Sequence, residues 1–132
     1  MAANVREYMT VSPHTVGFDQ TLAHAAALLR EHGIRHLPVL NGGHLVGVLT
    51  ERDIALVEAL KGVDPTTEKA EDAMSQDCYT VTPDTLMREV TAEMAERKYG
   101  CAIVTERGKV IGVLTTVDVC RAFSELEGRS EA

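Results

Sequence analysis

The sequence has no tryptophan, and aromatic residues make up only 4% of its 132 positions. A core built from it must rest on Leu, Val, Ile, Ala and Met. It has no basic excess: 13 Lys and Arg stand against 20 Asp and Glu, a net charge of -7. That balance argues against non-specific nucleic-acid binding or attachment to an anionic membrane, which need a basic face. No apolar run approaches the roughly 18 residues of a membrane span, and Met1-Ala2-Ala3-Asn4 shows no signal-peptide pattern. Cysteines are scarce and odd in number, Cys78, Cys101 and Cys120, without C-x-x-C spacing. A reduced, cytoplasmic setting is expected. There is no P-loop, Ser-His-Asp arrangement or paired-carboxylate pattern, so no enzyme is expected. His32 and His36 are four apart, but Gly33 and Pro38 interrupt any helix that would align them, and no metal site is expected.

What is present is a globular composition, 45% hydrophobic, and a repeat. Gly47-Val48-Leu49-Thr50-Glu51-Arg52-Asp53 returns as Gly112-Val113-Leu114-Thr115-Thr116-Val117-Asp118, an offset of 65 residues. At the same offset Met9 falls on Met74, Thr15-Val16 on Thr80-Val81, Asp19 on Asp84, and Gly43 on Gly108. No gap is needed from Met9 to Asp118. A long period present twice is a duplicated unit and not a solenoid.

Each copy spells the order β-α-β-β-α. In the first, Val5 to Thr10 is a helical turn leading in, and Ser12-Pro13 breaks it. Thr15 to Phe18 is a short strand. Asp19 or Thr21 caps a helix from Thr21 to His32, which Gly33 ends. His36 to Leu40 and His44 to Leu49 are strands turned at Asn41-Gly42-Gly43. Glu51 to Lys61 is the second helix. In the second copy Met74-Ser75 leads in, Thr80 to Pro83 is the short strand, and Thr85 to Lys98 the helix. Cys101 to Val104 and Lys109 to Leu114 form the hairpin, and the closing helix runs from Thr116 to about Glu125. The sequence thus divides into a first repeat with its lead-in (1–61), a linker (62–70), a second repeat (71–126) and a solvated tail (127–132). One copy is too thin to bury a good core alone. The expected fold is α+β, two β-α-β-β-α repeats packed about a pseudo-two-fold axis.

The chain resembles a tandem pair of cystathionine β-synthase (CBS) domains, a Bateman module. The resemblance rests on the Met9-Thr10 and Met74-Ser75 lead-ins, Arg35-His36-Leu37-Pro38-Val39, and the two G-h-h-T-x-x-D segments. The second copy departs from the pattern at Cys101 to Val104, which lacks the proline, and at Val117. Gly47 and Gly112 leave room for a flat ligand against the strand backbone. Thr50 and Thr115 end a strand where a helix begins, and can cap it or reach a phosphate or ribose oxygen. Asp53 and Asp118 can accept both hydroxyls of a vicinal diol, and the helix N-terminus favours an anion. The same residues could also do no more than cap the helix and oppose its dipole.

The resemblance implies a regulatory module that binds adenosine nucleotides (AMP, ADP, ATP or a related adenosyl ligand) in clefts between the repeats, with the aspartates on ribose. It implies base pockets lined by Thr15, Val16, Thr80 and Val81, and counts Pro38 among the nucleotide-binding residues. It places Arg35, His36 and Arg52 near phosphates. No cofactor is expected beyond a nucleotide acting as regulatory ligand, and signalling would pass to a separate effector protein. Members commonly pair through the helices after Thr50 and Thr115, so a homodimer is expected on Leu56, Val57, Leu60, Val119 and Phe123. The rival expectation is a ligand-free module for protein interaction and dimerisation. The copies should also differ, because Arg52 can fork onto phosphate where Val117 cannot.

Overall fold

The segment Met74-Ser75 pairs with the strand of the first repeat, through a bridge between Val48 and Ser75. Thr10-Val11 pairs with the strand of the second. In the computed structural model, which describes residues 3–131 but not the side chains of 61 and 129–131, repeat of sequence and unit of packing are therefore offset. One unit runs from His14 to Cys78, and the other joins the segment ending at Pro13 to the chain from Tyr79 onward. The lead-in expected to open the first repeat packs on the second, and the one expected to open the second packs on the first.

The His14–Cys78 unit has strands β2 (Val16–Gly17), β3 (Leu37–Asn41) and β4 (His44–Leu49), and helices α1 (Leu22–Glu31) and α2 (Glu51–Lys61). β2 runs parallel to β3, and β3 antiparallel to β4. The other unit has β1 (Thr10–Val11), β5 (Thr80–Val81), β6 (Cys101–Glu106), β7 (Lys109–Thr115), α3 (Met87–Arg97) and α4 (Thr116–Glu131). Its sheet order is β1-β7-β6-β5. Each unit is a mixed α+β structure with its own apolar cluster. Val16, Leu22, Leu29, Leu37, Val39 and Leu49 lead one, and Val5, Val90, Val104 and Leu114 the other.

Local chemistry sets the ends of these elements. Thr21, rather than Asp19, caps α1, its side chain accepting from the His24 amide at 3.1 Å. α3 starts later than expected because the Thr85 hydroxyl is engaged in a turn, accepting from the Thr82 amide at 3.2 Å. The linker does more than connect. The carbonyls of Pro65 and Glu68 accept from the amides of Ala23 and Leu22, both at 2.9 Å. These are first-turn donors that the helix itself leaves unpaired. In the other unit the Ala3 carbonyl accepts from Met87 at 2.9 Å, the same contact one repeat away. α4 continues to Glu131, beyond the end expected near Glu125 and through the expected tail.

The two motif glycines sit where a lead-in crosses a strand. A Cβ on Gly47 would lie 2.5 Å from the Met74 sulfur and 2.9 Å from the Ser75 carbonyl oxygen. On Gly112 it would lie 2.8 Å from the Met9 sulfur and 2.9 Å from the Thr10 carbonyl oxygen. The methionine can shift, but the backbone carbonyl is pinned by pairing. Gly47→Ala and Gly112→Ala should each destabilise the protein by about 1–3 kcal/mol, the usual cost of overpacking. Urea unfolding is the check, and two neutral substitutions would refute the close crossing.

Candidate functional site

Each G-h-h-T-x-x-D segment forms a strand-to-helix junction, and each is treated within its own unit. In the His14–Cys78 unit β4 ends at Leu49 and α2 begins at Glu51, with Thr50 as its N-cap. The Asp53 amide donates to the Thr50 hydroxyl at 3.1 Å, and the Thr50 amide to Asp53 Oδ2 at 3.0 Å. This reciprocal capping box satisfies donors at the helix start. It uses one oxygen of Asp53 and leaves Oδ1 without a hydrogen bond among the described residues.

Register places the next pair of predicted residues beside this junction. Leu37 pairs with Leu49, so His36 precedes β3 at the level where Thr50 follows β4. His36 is half-buried and its Nδ1 is fully covered, with no hydrogen-bond partner among the described residues. Burial pushes its pKa below the ordinary 6.5, the Arg35 charge pushes the same way, and the Asp53 carboxylate opposes both. Arg35, His36, Thr50 and Asp53 thus share one electrostatic neighbourhood. Arg52 is exposed in the first turn of α2.

The matching junction in the other unit is more enclosed. Asp118 is 5% exposed. Its Oδ2 accepts from the Thr115 amide at 2.9 Å and the Thr115 hydroxyl at 3.2 Å. Its Oδ1 accepts from Arg121 Nη2 at 3.3 Å, and the Thr10 hydroxyl reaches both oxygens at 3.4 and 3.5 Å. Arg121 also donates to the Tyr8 carbonyl at 2.8 Å. Sequence reasoning marks Thr10 only as part of a lead-in, and assigns none of Thr10, Tyr8 and Arg121 to the site. Arg121 was findable, because it lies one helical turn after Asp118 on the same face. The contacts of Tyr8 and Thr10 cross more than a hundred positions and leave no local signal.

The remaining predicted residues are placed as follows. The side chains of Val16 and Val81 belong to the two cores, and Pro38 is buried. Thr15 is half-buried and Thr80 exposed. A cleft of about 480 Å³ in the His14–Cys78 unit is lined by Phe18, Asn41, Val46, Glu71, Met74 and Gln76, and by none of the predicted site residues. It is apart from the chemistry gathered at Asp53. Among the described residues no group of three or more His, Cys, Asp or Glu is placed to hold a metal.

Comparison with known proteins places these units in a family context. The family model for the CBS domain matches residues 5–59 and again 70–125. Inosine-5'-monophosphate dehydrogenase of Korarchaeum cryptofilum is 35% identical over 116 residues, 87% of this chain but only 22% of that protein. A protein assigned to acetoin utilization (AcuB) from Vibrio cholerae superposes with a TM-score of 0.88 at 27% identity, covering 100% of this chain and 98% of that one. The CBS domain pair of protein MJ0100 superposes with a TM-score of 0.85 at 26% identity, over 95% and 98% of the two chains. That structure is a complex with 5'-methylthioadenosine and S-adenosyl-L-methionine.

The half-buried imidazole gives the first junction a pH signature. Folded His36 resists protonation, while the unfolded imidazole accepts a proton near its ordinary value of 6.5. Its contribution to stability is complete above that value and is lost as pH falls through it toward the lower folded pKa. Between about pH 7.5 and about pH 5.5, the range where histidine titrates, the wild type should lose more stability than His36→Gln. Urea unfolding at both pH values checks this, and an equal decline in the two proteins contradicts it.

Proposed function

The chain belongs to the CBS-domain family, as a tandem pair, and from that premise we propose that it is a regulatory module that binds an adenosyl ligand and signals to a separate protein. The observation that carries the reading is the state of Asp53. Its carboxylate sits at a helix N-terminus beside Arg35 and His36, and among the described residues one of its oxygens and the His36 Nδ1 have no hydrogen-bond partner. A carboxylate in that position accepts the two hydroxyls of a ribose diol, and a hydrogen bond to a charged group contributes about 1.5–3 kcal/mol. The solved complex of the MJ0100 domain pair, whose two ligands both carry an adenosine ribose, supports the class of ligand. Exposed Arg52 provides a fork for phosphate oxygens, which matters more on a chain of net charge -7. AMP, ADP or ATP therefore fits this junction, as a regulatory ligand and not as the substrate of a reaction. We assign the module no nucleic-acid or membrane partner, in keeping with its net charge of -7, and place it in a reducing cytoplasm, in keeping with three cysteines that show no C-x-x-C spacing.

The capping boxes favour a second reading. In both units the Thr and Asp of the motif already serve a structural purpose, so a ligand-free interaction module would also retain them. The exposed apolar side chains on the two closing helices belong to either reading. Leu56 and Leu60 on α2 are 54% and 75% exposed, and Val117 and Phe123 on α4 both 66%. Val57 and Val119, expected on that surface, instead pack partly into the cores. We assign the exposed set to a homodimer interface.

Two experiments follow. A thermal-shift panel of AMP, ADP, ATP, NAD and S-adenosylmethionine separates the readings. A ligand at about 100 times its dissociation constant adds roughly 2.7 kcal/mol of stability. Asp53→Ala should abolish that shift in a folded protein, and Arg52→Ala should weaken AMP while leaving adenosine unchanged. No shift with any member of the panel would leave the interaction module standing. Light scattering at micromolar concentration should return the mass of a dimer in the wild type and of a monomer in Leu60→Glu/Phe123→Glu. A monomeric wild type removes the interface.

A further inference from the structure

The two motif carboxylates are in different states, and the difference lies in residues outside the motif. An aspartate carboxylate has about four acceptor positions. Asp118 receives the Thr115 amide, the Thr115 hydroxyl, the Thr10 hydroxyl and Arg121, which fills them. Among the described residues Asp53 receives the Thr50 amide alone. At the offset of 65 residues, Arg121 corresponds to Leu56, Thr10 to Ser75 and Tyr8 to Ala73. Leu56 cannot donate a hydrogen bond. Ser75 binds Val48 through its backbone, at 2.9 Å in both directions, and its side chain makes no hydrogen bond to Asp53 among the described residues.

Arg121 is held from two sides. Its Nη2 donates to Asp118 and to the Tyr8 carbonyl, which belongs to the turn that follows Val5–Glu7. The guanidinium thereby ties the first turns of α4 to the lead-in and covers the carboxylate. About half of the Arg121 side chain remains exposed, so it can swing away without disturbing the core.

We propose that Arg121 is an internal occupant of the second motif: with Thr10 it closes the Asp118 oxygen that Thr115 leaves open and that a ribose diol would need, and so restricts adenosyl ligands to the Asp53 junction. The inference rests on the adenosyl reading given above. Arg121 acts through Asp118 and is a positioning residue. A ligand that did engage Asp118 would displace Arg121 and release its hold on Tyr8, so occupancy of the second motif is coupled to the lead-in segment.

Calorimetric titration with adenosine tests this on the full chain. The wild type should bind one equivalent, and Asp53→Ala none. Arg121→Met should bind a second equivalent, or bind at a second site at least about tenfold more tightly, 1.4 kcal/mol. Arg121→Lys, which keeps a donor, should return toward the wild type, and Asp118→Ala/Arg121→Met should lose the gain. Thr10→Val, which removes one donor from the same carboxylate, should shift the second site in the same direction as Arg121→Met. A merely structural role for Arg121 changes the melting temperature but not this stoichiometry. Two equal sites in the wild type, or one site in folded Arg121→Met and Thr10→Val alike, overturns the proposal and leaves the adenosyl reading intact. No binding by any variant overturns both.

Discussion

A lead-in segment crossing a glycine is the contact on which each unit depends. The Gly47–Val48 stretch of β4 is met by Met74-Ser75, and the Gly112–Val113 stretch of β7 by Met9-Thr10. The lead-in gives the strand a hydrogen-bonded neighbour, which blunts an edge that would otherwise be open. Just upstream it offers carbonyls to the bare amides at the start of α1 or α3. Without it a unit would keep three strands with an exposed edge, and first-turn amides of a helix would lose their acceptors. Since each lead-in comes from the other half of the duplicated sequence, neither half of the chain completes its own unit.

The same crossing prepares the motif for chemistry. The strand held by the lead-in delivers Thr50 or Thr115 to a helix start, and the capping box fixes the aspartate. A capped aspartate is oriented before any ligand arrives, and a pre-oriented acceptor binds with less entropic loss. Stability and recognition are therefore not competing accounts of Thr50 and Asp53. One carboxylate oxygen caps the helix and the other is available. In the second motif the other oxygen is taken by side chains that the lead-in and α4 supply. A duplicated motif has reached two different electrostatic states through neighbours, while its own letters stayed the same at Gly, Thr and Asp.

Much of this was legible in the residues alone. The offset of 65 residues gave the two repeats, and alternation and turn chemistry gave the element order. α2 was placed from Glu51 to Lys61, as observed, because its cap, apolar spacing and the following glycine are all local. The end of α4 was misjudged because an acidic stretch reads equally well as helix or tail. The start of α3 was misjudged because Thr85 can cap a helix or close a turn, and only its partner Thr82 decides.

Sequence by itself determined the α+β repeat and the family, from the match of the chain with itself at 65 residues, and the cap of α2 and the pairing of Thr with Asp at each strand end, which are set by residues within a few positions of one another. Tertiary structure decided which lead-in completes which unit, why a side chain at Gly47 or Gly112 would be crowded, that His36 Nδ1 has no hydrogen-bond partner among the described residues, and that among them Asp118 is filled while Asp53 keeps one oxygen unbonded. Those facts depend on contacts between residues far apart in the chain, such as Tyr8 with Arg121 and Thr10 with Asp118. Periodicity and propensity report on a residue's near neighbours along the chain, whereas a hydrogen bond across a hundred positions exists only once the backbone has closed around it.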